Sequence, residues 1–317
     1  MALQRFPRPV AVVAVLALLS GALWASGHAD DVLVLFPKKL IRRMGDRTEA
    51  MFPVLLIAVA LQIVWPAIRR SPKAFTTEYW LDVYYWYQSA IFKALGLFVM
   101  CFWINNKLWD GAGPWIPALR ELPFAAQVLL ALWLKDFVVY WRHRFEHTFT
   151  PLWSFHAVHH CATQVDILTT HRLHPAELAF GILLNAPIAC VGFSPAATAL
   201  AFTIYGEYNH FIHLNVKIRM PGVLRYIFVT PFMHQWHHAV DEAAIAKNVG
   251  VVFAWNDWIF GSAYHPDHWP EKFGFTGPPQ EALPPENLLR HWLYPLQLLV
   301  ARVRARFTSH LNERSAR

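Results

Sequence analysis

Apolar runs at about 10–26, 51–68, 84–106, 122–141, 176–192 and 195–212 fill most of the first two thirds of the chain. Each approaches the roughly 20 residues that a helix needs to cross a bilayer. Pro53 and Pro66 bound the second run, Lys93 interrupts the third, and Lys135 with Asp136 interrupts the fourth. The runs at 51–68 and 176–192 are short enough to re-enter or tilt. Lipid offers no partners to bare N–H and C=O groups, so the segments must be helical. The expected fold is all-α, an integral membrane helical bundle of about four to six membrane segments. The first run also has the outline of a secretory signal peptide. The number of runs behind it favours an uncleaved span.

After residue 213 the pattern turns amphipathic and aromatic, and proline and glycine cut it into short pieces. This predicts a cytoplasmic, histidine-rich cap of short helices. Residues 265–286 read as an ordered loop. A last helix at 287–306, with Leu and Trp on one side, suits the membrane interface plane. The chain divides into N-terminal membrane segments (1–121), a histidine-rich region (122–265), and a C-terminal loop and amphipathic helix (266–317).

Composition supports a lipid setting. Hydrophobic residues make up 56% and charged residues 15%, against about 25% charged in soluble domains. The net charge of +7 raises the question of nucleic acid. The basic residues flank apolar runs, which instead fits loops facing anionic lipid. On that rule "RRSPK" (69–73) and the stretch from Arg142 face the cytoplasm, while the basic segment 37–47 fits only if the second run re-enters or the first is oriented otherwise. Three cysteines without a C-x-x-C pair exclude a disulfide framework and a thiolate cluster.

Histidine carries the candidate chemistry. Twelve of 17 fall between residues 143 and 238. They recur as His143/His147, His156/His159/His160, His210/His213 and His234/His237/His238. Gaps of three or four put rings on one helical face. The doubled H-x-x-H-H pattern suits a two-metal site. So many neutral imidazoles in an apolar chain need partners, and metal supplies them. All-imidazole ligation fits Zn, Cu, Fe or Ni, and one structural zinc would use only about four ligands. The H-E-x-x-H protease pattern is absent.

"DFVVYWRHRFEH" (136–147), "WSFHAVHH" (153–160), "HLN" (213–215), "HQWHH" (234–238) and "NVGVVFAWNDWIFGS" (248–262) together resemble the fatty acid hydroxylase/sterol desaturase superfamily. The resemblance covers about residues 122–265 and implies a membrane oxygenase with a two-iron centre on the cytoplasmic side. It implies His143, His147, His156, His159, His160, His234, His237 and His238 as ligands, His213 as a ninth, and His174 and His210 as further candidates. Asp136, Asn209 and Glu177 are candidates for orienting the ligands from behind.

The expected activity is O2-dependent hydroxylation of an unactivated C–H bond of a lipid, such as an acyl chain, sterol, isoprenoid or ether lipid. Desaturation at the same centre is the alternative. A two-zinc membrane hydrolase is the competitor from another class, and Glu146 is the only carboxylate inside a box. No dinucleotide fingerprint or cysteine cluster occurs, so a separate electron donor (a ferredoxin, cytochrome or reductase) is expected. No retrieval signal ends the chain, which favours a bacterial inner membrane over endoplasmic reticulum.

Overall fold

The computed structural model describes residues 57, 60–68, 76–103, 114–275 and 282–315. The first apolar run, the basic segment 37–47, the 69–73 segment and part of the second run lie outside those residues.

Among the described residues the chain is helical, with single-residue pairings in place of strands. Five longer helices come first: α1 (Thr77–Trp103), α2 (Phe124–Thr148), α3 (Thr150–His160), α4 (Pro175–Cys190) and α5 (Pro195–Ile212). Three short ones follow, α6 (Leu224–Ile227), α7 (Pro231–His237) and α8 (Trp255–Ile259), and then the long α9 (Leu288–Ser315). Proline sets several starts: Pro151, Pro175, Pro195 and Pro231 stand in first turns, where the missing N–H costs nothing. The Ser194 and Thr230 hydroxyls accept from the amides of Ala197 and Met233, capping α5 and α7.

Helix α2 alone, among the described residues, is long and apolar enough to cross a bilayer. It runs past the apolar stretch that predicts it, and its last two turns carry His143 and His147. Helix α4 is apolar but shorter. A single extended residue, Phe149, separates α2 from α3, so α3 folds back against α2. Helix α5 packs along α2, and α7 packs on α5. Val128, Leu132 and Val139 of α2 share one core with Ala197, Ala201, Phe232 and Trp236. A second core joins Leu81 and Tyr85 of α1 to Val158 of α3, to Cys161 just after it and to Leu298 of α9. The histidine-bearing helices lie between these two cores.

Candidate metal centre

Nine imidazoles converge in two buried groups. His143 and His147 of α2, His156 and His160 of α3, and His237 of α7 bring one ring nitrogen each within 4.8 Å of the others. His159, His213, His234 and His238 do the same in the second group. Helical spacing explains the split. His156 and His160, four apart on α3, face α2, while His159 turns to α5 and α7.

Hydrogen bonds at the back of the rings fix their tautomers. His143 Nδ1 donates to the Val249 carbonyl (2.7 Å), His237 Nδ1 to that of Lys247 (2.8 Å) and His213 Nδ1 to that of Asn209 (2.7 Å). His156 Nδ1 lies 3.0 Å from Glu177 Oε1. A carbonyl only accepts, so each ring hydrogen-bonded to one carries its proton on Nδ1 and aims a bare Nε2 inward. The inward atoms crowd together: Nε2 of His143 is 2.9 Å from that of His156, and His234 is 2.9 Å from His213. The His160–His237 and His159–His213 pairs are 3.1 and 3.2 Å apart. Lone pairs at such distances repel unless a proton or a cation lies between them. Burial opposes the proton. It pushes the His213 imidazole down to about 3 and that of His237 to about 4. His156, His159, His160, His234 and His238 are likewise held well below the usual range, first by burial and then by neighbouring imidazoles. Two ligands at right angles on one metal, with bonds of about 2.1 Å, stand about 3 Å apart. The donor set fits two metal ions of the kind that accept neutral imidazole.

The segment 248–262 closes the first group from behind. Asp136 accepts from the amides of Val252 (2.8 Å) and Phe253 (3.2 Å) and from Asn256 Nδ2 (3.2 Å). Tyr140 and Arg144 continue its face of α2, to Ser262 Oγ (2.8 Å) and the Phe260 carbonyl (2.8 Å). Asp257 accepts from the amides of Val249 and Gly250 and from the Ser262 hydroxyl. A side chain at Gly250 would bring its Cβ 2.7 Å from that carboxylate. Asn248 takes a left-handed conformation (φ 52°) and links the Met233 carbonyl to Tyr264. Together these contacts hold the Val249 and Lys247 carbonyls against His143 and His237.

The other sequence candidates fall in different places. Asp136 braces this segment rather than an imidazole. Glu177 does meet one, at His156. Asn209 serves through its main-chain carbonyl. His174 lies outside both groups: its Nδ1 accepts from the Ala176 amide at the start of α4, and its Nε2 donates to the Trp292 carbonyl. His210 also lies outside, paired with His171 (3.1 Å) and Glu207 (3.4 Å).

The sequence alone did not reveal the role of Glu146. It joins Glu177 around His156 Nδ1, and Arg142 lies 3.7 Å from it. The guanidinium already supplies positive charge there, so the two glutamates with His156 form a brace and not a third cation site. The D-x-x-x-Y-x-x-x-R spacing of Asp136, Tyr140 and Arg144 was a readable sign of one working helix face. The main-chain carbonyls left no sign.

These features define a helical protein built around a buried, imidazole-lined centre able to hold metal. Residues 128–262 match the fatty acid hydroxylase family. Ornithine lipid hydroxylase OlsE of Rhizobium tropici is 34% identical over 151 residues, covering 46% of this chain and 44% of that protein. Alkylglycerol monooxygenase of Danio rerio is 28% identical over 171 residues, 54% of this chain and 34% of that one. Methylsterol monooxygenase 2-2 of Arabidopsis thaliana is 25% identical over 154 residues, 46% and 55% respectively. The chain thus spans less than half the length of the first two. No solved structure matches.

Proposed function

We propose that the chain is a membrane-bound, O2-dependent lipid hydroxylase that uses two iron ions. The observation that carries this reading is the convergence of five and four inward-facing imidazole nitrogens in two adjoining buried groups. Iron bound there supplies the redox chemistry for inserting one oxygen atom into an unactivated C–H bond. The protein's own part is positional. The Val249, Lys247 and Asn209 carbonyls and the Glu177 carboxylate hold four rings in one tautomer. Trp153 packs against His147 and His160 and keeps water from the first group. Overall a C–H bond, O2, two electrons and two protons yield C–OH and water, so a separate electron-donor protein is required.

The substrate is a lipid reached from the bilayer. The named relatives act on lipids in the words of their own names, an ornithine lipid and an alkylglycerol among them. Helix α2 spans the membrane in this reading, within a bundle of about four to six segments. The imidazole groups lie at its cytoplasmic end, in a bacterial inner membrane. The test is lipid mass spectrometry of cells with and without the gene, repeated with His159→Ala. A lipid that gains one oxygen atom, dependent on O2 and on His159, supports the reading. A lipid that loses two hydrogens redirects it to desaturation. An O2-independent activity from zinc-loaded protein contradicts it.

A further inference from the structure

A second site lies outside the imidazole groups. A cavity of about 450 Å³ opens between α1, the start of α4 and α9, within the range of small-molecule sites. Ile91, Phe92, Pro175 and Trp292 give it apolar walls, and Tyr84, Gln88 and His174 complete the lining. His174 is fully used, as described above. Gln88 is not. It is only 5% exposed; its Nε2 donates to the Leu173 carbonyl (2.9 Å), and its Oε1 accepts from none of the described residues. A buried acceptor left this way is costly and points to a missing partner. Tyr84 is also only 5% exposed and lines the cavity beside Gln88.

The chemistry of that partner follows from the lining. Among the described residues the lining holds no carboxylate, lysine or arginine, and both nitrogens of His174 are engaged, so an ionised headgroup would lose its water without gaining a counter-charge. The open Gln88 acceptor suits a neutral donor, and a Tyr84 hydroxyl in the same lining suits a group that also accepts, a hydroxyl or an amide. The mouth is rimmed by exposed apolar residues, Ile91 at 57% and Trp292 at 45%, with Leu289 and Leu296 nearby on α9. Such a rim is entered from lipid rather than from water. We propose that this cavity seats the head of a neutral single-chain lipid. Its hydroxyl or amide donates to Gln88 Oε1 and accepts from the Tyr84 hydroxyl, and its hydrocarbon chain lies along Ile91, Phe92 and Trp292. Binding here does not depend on the oxygenase reading.

The test uses the full chain, purified in detergent, with a long-chain fatty alcohol carrying a photoreactive diazirine, and adducts mapped by peptide mass spectrometry. The proposal expects adducts on Ile91, Phe92 and Trp292 that unlabelled 1-hexadecanol displaces. Gln88→Leu and Tyr84→Phe should each cut labelling about fivefold, and Ile91→Trp, which fills the mouth, should abolish it, all at unchanged metal content. Equal labelling by a diazirine alkane without the hydroxyl overturns the proposal, as does labelling that ignores these variants. Cross-linking of these same residues to the chain's own segment 10–26 overturns it too, since that segment would then fill the cavity. Incubation with O2 and an electron donor distinguishes the source of the lipid: an oxygenated alcohol makes the site part of the substrate path, and unchanged alcohol makes it a seat for a resident lipid. Both results uphold binding, whatever becomes of the iron reading.

Discussion

The two imidazole groups are built differently. The first has five rings, four of them from adjacent helices joined by a one-residue break. Three are held from behind, His143 and His237 by the carbonyls of Val249 and Lys247 and His156 by Glu177. The second has four rings from α3, the end of α5, and α7 with its cap. There His213 has its Nδ1 held by a carbonyl, while the Nδ1 atoms of His234 and His238 have no partner among the described residues. Local helical spacing and rear bracing make the first group over-determined. The second depends on distant segments meeting, and it has no spare ligand.

The largest expected effect follows from that spare ligand. His234→Ala should remove one metal of two and reduce product formation by more than about 100-fold, since loss of an orienting partner alone costs 10–100-fold. His147→Ala should keep more of its metal than His234→Ala. Metal counting on both proteins checks this, and equal losses would break the comparison.

Next comes the brace. Asp257→Ala strands the amides of Val249 and Gly250 and should cost about 2–4 kcal/mol, read as a lower Tm. Metal should leave the first group before the second, which His143-side and His159-side ligand variants can resolve. Glu177→Gln should keep both metals bound and slow turnover about 10-fold, with kcat falling rather than KM rising.

Acid gives a graded effect. The buried imidazoles have folded pKa values below the unfolded value of about 6.5, with His237 near 4 and His213 near 3. The folded state therefore binds fewer protons than the unfolded one. Stability present above about pH 6.5 is lost as the pH falls toward 4 and then 3, by up to about 1.4 kcal/mol per pH unit for each such group. Denaturant unfolding of metal-free protein at stepped pH reads this directly. A flat profile would mean the rings are not buried neutral. The smallest effect belongs to His174→Gln and His210→Gln, which should leave the metal count unchanged because both rings lie outside the groups.

Much of this was legible in the sequence because helical phase carries it. The spacing of His143/His147 and of the two H-x-x-H-H runs reflects which rings share a face, and Pro175 and Pro195 mark where α4 and α5 begin. The rear support was not legible. The carbonyls of Val249 and Lys247 are the same in every residue, and their placement follows from Asn248 in a left-handed turn and from Asp136 reaching across more than a hundred residues. Such long-range pairings leave no periodicity. Asp136 looked like a partner for an imidazole because it precedes the first box, but its carboxylate meets three donors of the closing segment first.

The most direct test is the number of iron ions that the metal-free chain takes up under anaerobic conditions. About two tightly bound per chain, falling to about one in His234→Ala, is the predicted result, since four and five nitrogens make two separate sites. Uptake of a single ion, or of two that survive that substitution, would contradict the paired centre.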